Sequence, residues 1–341
     1  MIQIITTSDD KNRRVDEYIV EKLKELNLEW KFSRSQVHKM IENGKITLNK
    51  QNLGIKSLKL KENDEIEINL EDSIRLFKNI QPLEYKPNSN VKIVYEDDYL
   101  LVISKPAGTL SHPGGGDYEN TLVNAMLNKS LSANRGQYEL GIVHRLDKNT
   151  SGLMIMAKDG NTHNHLAEQI ATKTCQRKYL ALCYGIVKPL EGSIKTFVAP
   201  HLKAYNKMSI SSENNPKSQI AITDYQTVEV INKYFSIVEC SLQTGRTHQV
   251  RLHLQHLKHP IVGDEMYSYP INQIFLNSLK KEIKENDAEN LLKIQQFFRQ
   301  ALHSYYIKFT HPVTKQEMEF KEEIADDIKE LIATIRSLNL E

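Results

Sequence analysis

The stretch GIVHRLDKNTSGLMIMAK, residues 141–158, places one carboxylate, Asp147, in a polar knot between two apolar runs. Gly141-Ile142-Val143 precede the knot and Leu153-Met154-Ile155-Met156 follow it, as strand-like segments would. An aspartate is ionised at neutral pH without an activating base, so Asp147 has the chemistry of a nucleophile. Burying it unpaired costs several kcal/mol, so a placed cation is expected. Arg145 and Arg246 are the two candidates. The plainer alternative is a turn or cap carboxylate, since Lys-Asn-Thr-Ser-Gly follows, and such caps are worth roughly 1 kcal/mol.

Two other chemistries are tested against the same residues. HRLDKN resembles the H-R-D-L-x-x-x-N loop of protein kinases, but here Leu146 precedes Asp147. No glycine-rich nucleotide loop, D-F-G, A-P-E or G-x-x-x-x-G-K-[ST] accompanies it, so phosphoryl transfer is set aside. His248, His253, His256 and His259 crowd one stretch, with Asp264 after them. HExxH is absent, as is the H-x-E with P-C-x-x-C pattern of zinc deaminases. QVRLHLQ alternates as a strand would, putting His248 and His253 on opposite faces, so no metal is expected.

The elements that must hold Asp147 lie in a chain of 341 residues, enough for two or three domains with a sizeable core. Its 40% hydrophobic and 26% charged content describe a soluble globular protein. No apolar run approaches the ~20 residues of a membrane span, and MIQIITTSDDKNRR contains no secretory signal. Cys175, Cys183 and Cys240 form no C-x-x-C pair and leave one thiol over in any pairing, which fits a reduced cytoplasmic protein. A net charge of +2 says little about partners. Its distribution says more: residues 11–50 hold ten Lys/Arg and six Asp/Glu.

Within that basic segment, RRVDEYIVEKLKELN predicts an amphipathic helix with Val15, Ile19, Leu23 and Leu26 on one stripe. SRSQVHKMIENG predicts a second, capped by Ser33, ended by Gly44, with Val37, Met40 and Ile41 inward. KITLNK and DEIEINL then alternate as short strands. Residues 76–90 read as a linker. VKIVYEDDYLLVISKP suggests a hairpin broken at Glu96-Asp97-Asp98. SHPGGGD is a glycine-rich turn, and NTLVNAMLNKSL a capped helix. A helix over about 160–174 and the strand RKYLALCYGIV follow. The charged, helix-prone stretch 268–300 interrupts strand-rich regions and reads as a peripheral insertion. EEIADDIKELIATIRSL predicts a closing helix with Ile324, Ile328, Leu331 and Ile335 inward.

Helix, helix and short strands within about 70 residues resemble the S4 RNA-binding module, through Arg14-Val15-Asp16, Ser33-Arg34-Ser35 and Gly44-Lys45-Ile46-Thr47-Leu48-Asn49. The resemblance implies that Arg34, Lys39 and Lys45 face RNA. GIVHRLDKNTSGLMIMAK in turn resembles the signature of the RluA-type pseudouridine synthases. Four further segments match that family in its order: ISKPAGTLSHPGGG, Lys178-Tyr179-Leu180-Ala181, TGRTHQVRLHLQHLKHPIVGDEMY and ALHSYYIKFTHP. The expected fold class is therefore α+β: a mostly antiparallel mixed-sheet catalytic domain over 91–341, preceded by a small α/β S4-like domain over 1–75.

What the resemblance implies is uridine isomerisation in 23S rRNA. The N1–C1′ bond breaks, the base turns, and it rebonds through C5 after leaving its stack. Asp147 then attacks C1′ or promotes elimination from the ribose, with both routes open. Tyr179 lies against the uracil as general base or relay at C5. Its unperturbed pKa near 10 means that the environment must help. Arg246 pairs with Asp147, and Arg145 takes the place of the flipped base or contacts its phosphate. Lys105, His112, Lys148, His248 and Arg251 are expected phosphate contacts. No cofactor is implied, because the reaction has no net redox change or group transfer. Ribosomal RNA is the expected partner, the chain a monomer with no membrane association. The HPGGG turn and the C-terminal segment lean toward members acting on the intersubunit-bridge stem-loop. The rival reading is an RNA-binding assembly factor that kept the fold and lost catalysis; Asp147, Tyr179 and Arg246 argue against it.

Overall fold

The computed structural model describes residues 1–26, 32–70, 72–73, 88, 90–112, 120–126, 141–201, 204, 206–284 and 287–340. The linker expected at 76–90, except for residues 88 and 90, the glycines of the HPGGG turn and the end of the helix after Met126 lie outside these. The chain divides into two compact units, Met1–Glu84 and Tyr85–Glu341.

The first unit packs α1 (Val15–Glu25) and α2 (Arg34–Glu42) on a small antiparallel sheet. Its strands β1 (Ile2–Ile5), β2 (Ile46–Leu48), β3 (Gln51–Asn52) and β4 (Glu65–Ile68) run in the order β1-β4-β2-β3. Val15, Ile19 and Leu23 are buried at helical spacing against Val37, Met40, Ile46, Ile66 and Ile68. Leu26 instead caps the end of α1 and is exposed. Ser33 caps α2 through a capping box with Gln36, and Gly44 closes it in the left-handed region at φ +64°.

In the second unit, β5 (Lys92–Glu96) and β6 (Leu100–Lys105) form the hairpin predicted around Asp97, whose carboxylate accepts from the Tyr99 and Leu100 N–H groups. A short α3 (Leu122–Met126) precedes β7 (Ser151–Ala157), every residue of which is buried. α4 (Gly160–Ala171) leads to β8 (Gln176–Tyr184), β9 (Glu191–Pro200), β10 (Met208–Ser211), β11 (Gln219–Asn232) and β12 (Phe235–Leu242). Then come α5 (Gln249–His256), α6 (Ile271–Glu282), α7 (Ala288–Gln296), β13 (Leu302–Thr310), β14 (Glu317–Lys321) and α8 (Asp326–Arg336). Among the described residues the strands form one sheet in the order β10-β9-β11-β12-β8-β13-β7-β6-β5, with β14 beside β13. Only the β13–β7 pair is parallel.

That parallel pair brings two backbones very close. Gly152 sits at φ +115°, and a Cβ there would lie 2.3 Å from Ser304 O. Gly152→Ala is expected to destabilise the second unit by about 3 kcal/mol, read as an earlier denaturant midpoint. An unchanged midpoint would show that the strands can separate freely here.

The stretch taken as a peripheral insertion is helical, but it is tied to the core. Phe275 stacks on Tyr184 at 6.0 Å, and Leu276, Leu279, Leu291 and Ile294 are buried. The expectation that QVRLHLQ forms a strand is corrected: these residues form α5. Gln249 through Leu254 are all buried, so the helix has no polar face to produce a 3.6-residue period.

Candidate active site

Asp147 is carried on a loop that enters β7, and three parts of the chain fasten that loop. Ile142 bridges Met156, and the Ala157 N–H donates to Gly141 O at 2.6 Å. From the segment after β6, Ser111 Oγ donates to Leu146 O at 2.9 Å and the Gly108 N–H to Lys148 O at 2.9 Å. From the end of the 268–300 stretch, Arg299 Nη1 donates to Asn149 O at 3.2 Å and Gln300 Nε2 to Thr150 Oγ1 at 3.1 Å. Arg299 itself is locked onto Asp327 by two 2.6 Å contacts. The supposed insertion thus ends in residues that position the aspartate.

Lys105 belongs to the same clamp, which corrects its expected role as a phosphate contact. Its side chain is fully buried, and Nζ donates to Pro106 O, Thr109 O and Lys148 O at 2.9, 2.9 and 3.0 Å. Burial pushes its pKa down to about 7, opposed by the nearby charge of Asp147. With its donors committed to three carbonyls, Lys105 is a structural pin.

The cation on Asp147 is Arg251, not Arg246. Arg251 Nη1 donates to Asp147 Oδ2 at 3.0 Å, while Nε and Nη2 grip Asp264 at 2.7 and 2.9 Å. Asp264 is itself held by the N–H groups of Met266 and Tyr267, both at 3.1 Å, and the Tyr267 ring lies 5.0 Å from the guanidinium. Burial opposes the charge on Arg251, but Asp264 and Asp147 outweigh it and raise its pKa. The helical geometry of α5 explains the correction: Arg251 sits inside the first turn, pointing at the aspartate loop. Arg246 precedes the helix, its Nε donating to Ile220 O at 3.1 Å and its N–H to Gln249 Oε1 at 2.9 Å.

These groups line one cleft of about 640 Å³ that also includes Arg145, Arg177, Tyr179, His144 and His248. The Asp147 side chain is 18% exposed, so it is reachable from the cleft while still ion-paired. His248 Nε2 stands 3.9 Å from Asp147 Oδ1, too long for a hydrogen bond, and its Nδ1 meets the Tyr267 hydroxyl at 2.9 Å. Burial lowers the His248 pKa despite the carboxylate. His253 is also committed, between the hydroxyls of Thr196 (2.9 Å) and Thr223 (2.8 Å), with a pKa pushed down to about 4 by burial. His259 meets Tyr184 O at 2.9 Å.

Tyr179 is 5% exposed on β8, paired with Cys240 and Ser304 on the neighbouring strands. Burial raises its pKa above the usual 10, only partly offset by Arg177 and Ser304. The surroundings therefore do not supply the lowering that a standing general base needs, and the phenol is protonated at neutral pH. Arg145 is exposed at the cleft; Lys148 is exposed and His112 half-buried, both outside its lining. In the first unit, Arg34 does not point freely outward. It joins Arg14 and His38 around the fully buried Asp16, at 2.9 Å from Oδ2. Burial alone would raise the Asp16 carboxyl, but these three partners hold it well below its usual range. Lys39 is exposed, and Lys45 lies 3.4 Å from Asp72.

Residues 99–256 match the family described as RNA pseudouridylate synthase. The chain is 30% identical over 337 residues to YlyB, an uncharacterized RNA pseudouridine synthase of Bacillus subtilis, covering 98% of each protein. It is 33% identical to an RNA pseudouridine synthase of Chlorobaculum parvum, over 95% of this chain and 94% of that one. To ribosomal large subunit pseudouridine synthase D of Zymomonas mobilis it is 37% identical, over 73% and 74% respectively. Among solved structures, the human RNA pseudouridylate synthase domain containing 4 superposes with a TM-score of 0.56 at 24% identity, over 73% of this chain and 94% of that one, which speaks for the fold.

Proposed function

The chain belongs to the RNA pseudouridine synthase family, and on that premise we propose that it isomerises uridines of large-subunit ribosomal RNA. The observation that carries the mechanism is the ion chain Asp147–Arg251–Asp264 beside a cleft roomy enough to admit a nucleoside. Arg251 keeps Asp147 charged and oriented, and the three-sided clamp on its loop fixes where its oxygens stand. A flipped uridine entering the cleft meets that carboxylate at C1′. Asp147 then either attacks C1′ or promotes loss of the base by elimination. Tyr179, being a protonated phenol, serves as a relay for the C5 proton rather than as a standing base. Arg145, exposed at the cleft, fills the stack or holds a phosphate. Similarity to large-subunit synthase D proteins supports 23S rRNA as substrate and, with it, a cytoplasmic location. No helix among the described residues is long and apolar enough to cross a membrane. The intersubunit-bridge stem-loop holds the first uridines to examine.

The reading is tested by incubating the purified chain with unmodified 23S rRNA and mapping pseudouridine. Product at discrete positions is expected; none on rRNA, free or in particles, would contradict it.

The first unit is proposed as an S4-like RNA-binding module. Lys39 and Lys45 neutralised together should weaken RNA binding and reduce the log–log salt slope by about 0.9 per lost phosphate contact. An unchanged slope would count against the module. Arg34→Gln should act differently, lowering the melting temperature of the first unit, because it opens the cluster around Asp16.

A further inference from the structure

Two buried donors of the cleft have no acceptor. Arg177 is 5% exposed, its Nε has no hydrogen-bond partner, and no carboxylate pairs with it among the described residues. His144 Nε2 accepts from the Ile155 N–H at 3.1 Å, and burial, with Arg177 adding to it, pushes the ring pKa down to about 3. The ring is therefore neutral, and its one proton sits on the buried, unpartnered Nδ1. Both residues line the cleft that holds Asp147. A buried guanidinium without a counter-charge is unfavourable unless something else supplies the acceptor. Gly245 lets the guanidinium pack this close: a Cβ there would stand 3.0 Å from Arg177 Nη1.

We propose that Arg177 and His144 form a donor-only corner that takes a carbonyl oxygen of the target uracil and stabilises the charge that builds on the base as it leaves the sugar. The inference rests on the isomerase reading. When the N1–C1′ bond breaks, its electron pair stays with the base, delocalised over N1, O2 and O4, whichever route Asp147 takes. In the substitution route an Asp147 oxygen bonds C1′; in the elimination route C2′ gives up a proton and a sugar double bond forms. The pair returns when C5 bonds C1′: in the first route the Asp147–C1′ bond breaks and frees the carboxylate, and in the second C2′ takes its proton back as the sugar double bond is consumed. The C5 proton is then lost and N1 is protonated. A guanidinium fixed beside the base favours the charged state over the bound uridine, as an oxyanion hole does. A phosphate is the other oxygen ligand such donors accept. The corner's depth favours the base, because Arg177 shares its strand face with Tyr179, whereas exposed Arg145 and Lys148 are available to the backbone.

The test compares Arg177→Gln with the unaltered chain on a defined RNA carrying uridine or 5-fluorouridine at the target. Breakage of the N1–C1′ bond is measured at single turnover, and RNA affinity separately. The 5-fluoro base carries negative charge more easily and needs less help. The expected result is a rate loss of about 10²–10³-fold with uridine. The loss should be clearly smaller with 5-fluorouridine, while Kd changes by less than about threefold. Arg177→Lys, which keeps the charge, should recover part of the rate and carries the same two-substrate comparison if the glutamine variant fails to fold. An unchanged rate, an equal loss on both substrates, or a loss confined to Kd would overturn the assignment; the last marks a phosphate contact. Absence of product from the unaltered chain on either RNA would instead sink the isomerase reading and this inference with it.

Discussion

Asp147→Ala is expected to bind its RNA and form no pseudouridine. The side chain lies at the edge of the cleft with one oxygen on Arg251 and the other reachable, so its removal deletes the only carboxylate that lines the cleft among the described residues. Its backbone is held by contacts that the substitution does not touch: the Ser111, Gly108, Lys105 and Arg299 bonds all go to neighbours of Asp147. The loop therefore keeps its place and the protein its fold. The expected fall in single-turnover rate is at least about 10⁴-fold, with Kd for the RNA unchanged or tighter, since a negative charge near the backbone is lost. A rate within tenfold of the unaltered chain would remove the nucleophile from the account.

Arg251→Ala is expected to cost both stability and activity. One cation serves two carboxylates, and the Asp264 side chain is fully buried. Deleting the arginine leaves that buried charge without a cation, a loss of about 3–5 kcal/mol. For a unit of this size, that lowers the melting temperature on the order of 10 °C. Arg251→Lys separates the two effects. A lysine keeps the charge, but a single ammonium cannot grip Asp264 with two bonds and reach Asp147 as well. It should fold while turning over about 10²-fold more slowly, because Asp147 loses its orientation. Arg246→Ala provides the contrast: it leaves the ion chain intact, so its effect should fall mainly on KM. If Arg246→Ala lost kcat while Arg251→Lys kept it, the pairing would be the wrong way round.

Much of the architecture is legible in the chain because local signals and burial agree. Ser33 and Gly44 bound α2, Asp97 turns the β5–β6 hairpin, and the apolar run after Asp147 is the fully buried β7. Strand β1 was not anticipated: its residues alternate between half-buried and exposed, so they give little contrast, and its partner β4 lies some sixty residues away. The site is legible in its aspartate and less so in its partners. α5 alternates in sequence and its first six residues are all buried, so neither periodicity nor polarity marks it as a helix. That hid Arg251 behind Arg246. Lys105 looks like a surface cation because lysines almost always are; only three convergent carbonyls, from segments forty residues apart, make its burial possible. Arg299 and Gln300 sit in a charged, helix-prone stretch, and nothing local shows that they reach back to Asn149 and Thr150. Arg177 reads as one more strand residue until its missing acceptor is seen.

The most direct test of the central claim is a pseudouridine map of large-subunit rRNA from cells lacking this chain, complemented with either the unaltered sequence or Asp147→Ala. The account predicts specific uridines that lose modification on deletion, regain it with the unaltered chain, and stay unmodified with the alanine variant. Modification restored equally by both, or an rRNA map that deletion leaves unchanged, would contradict it.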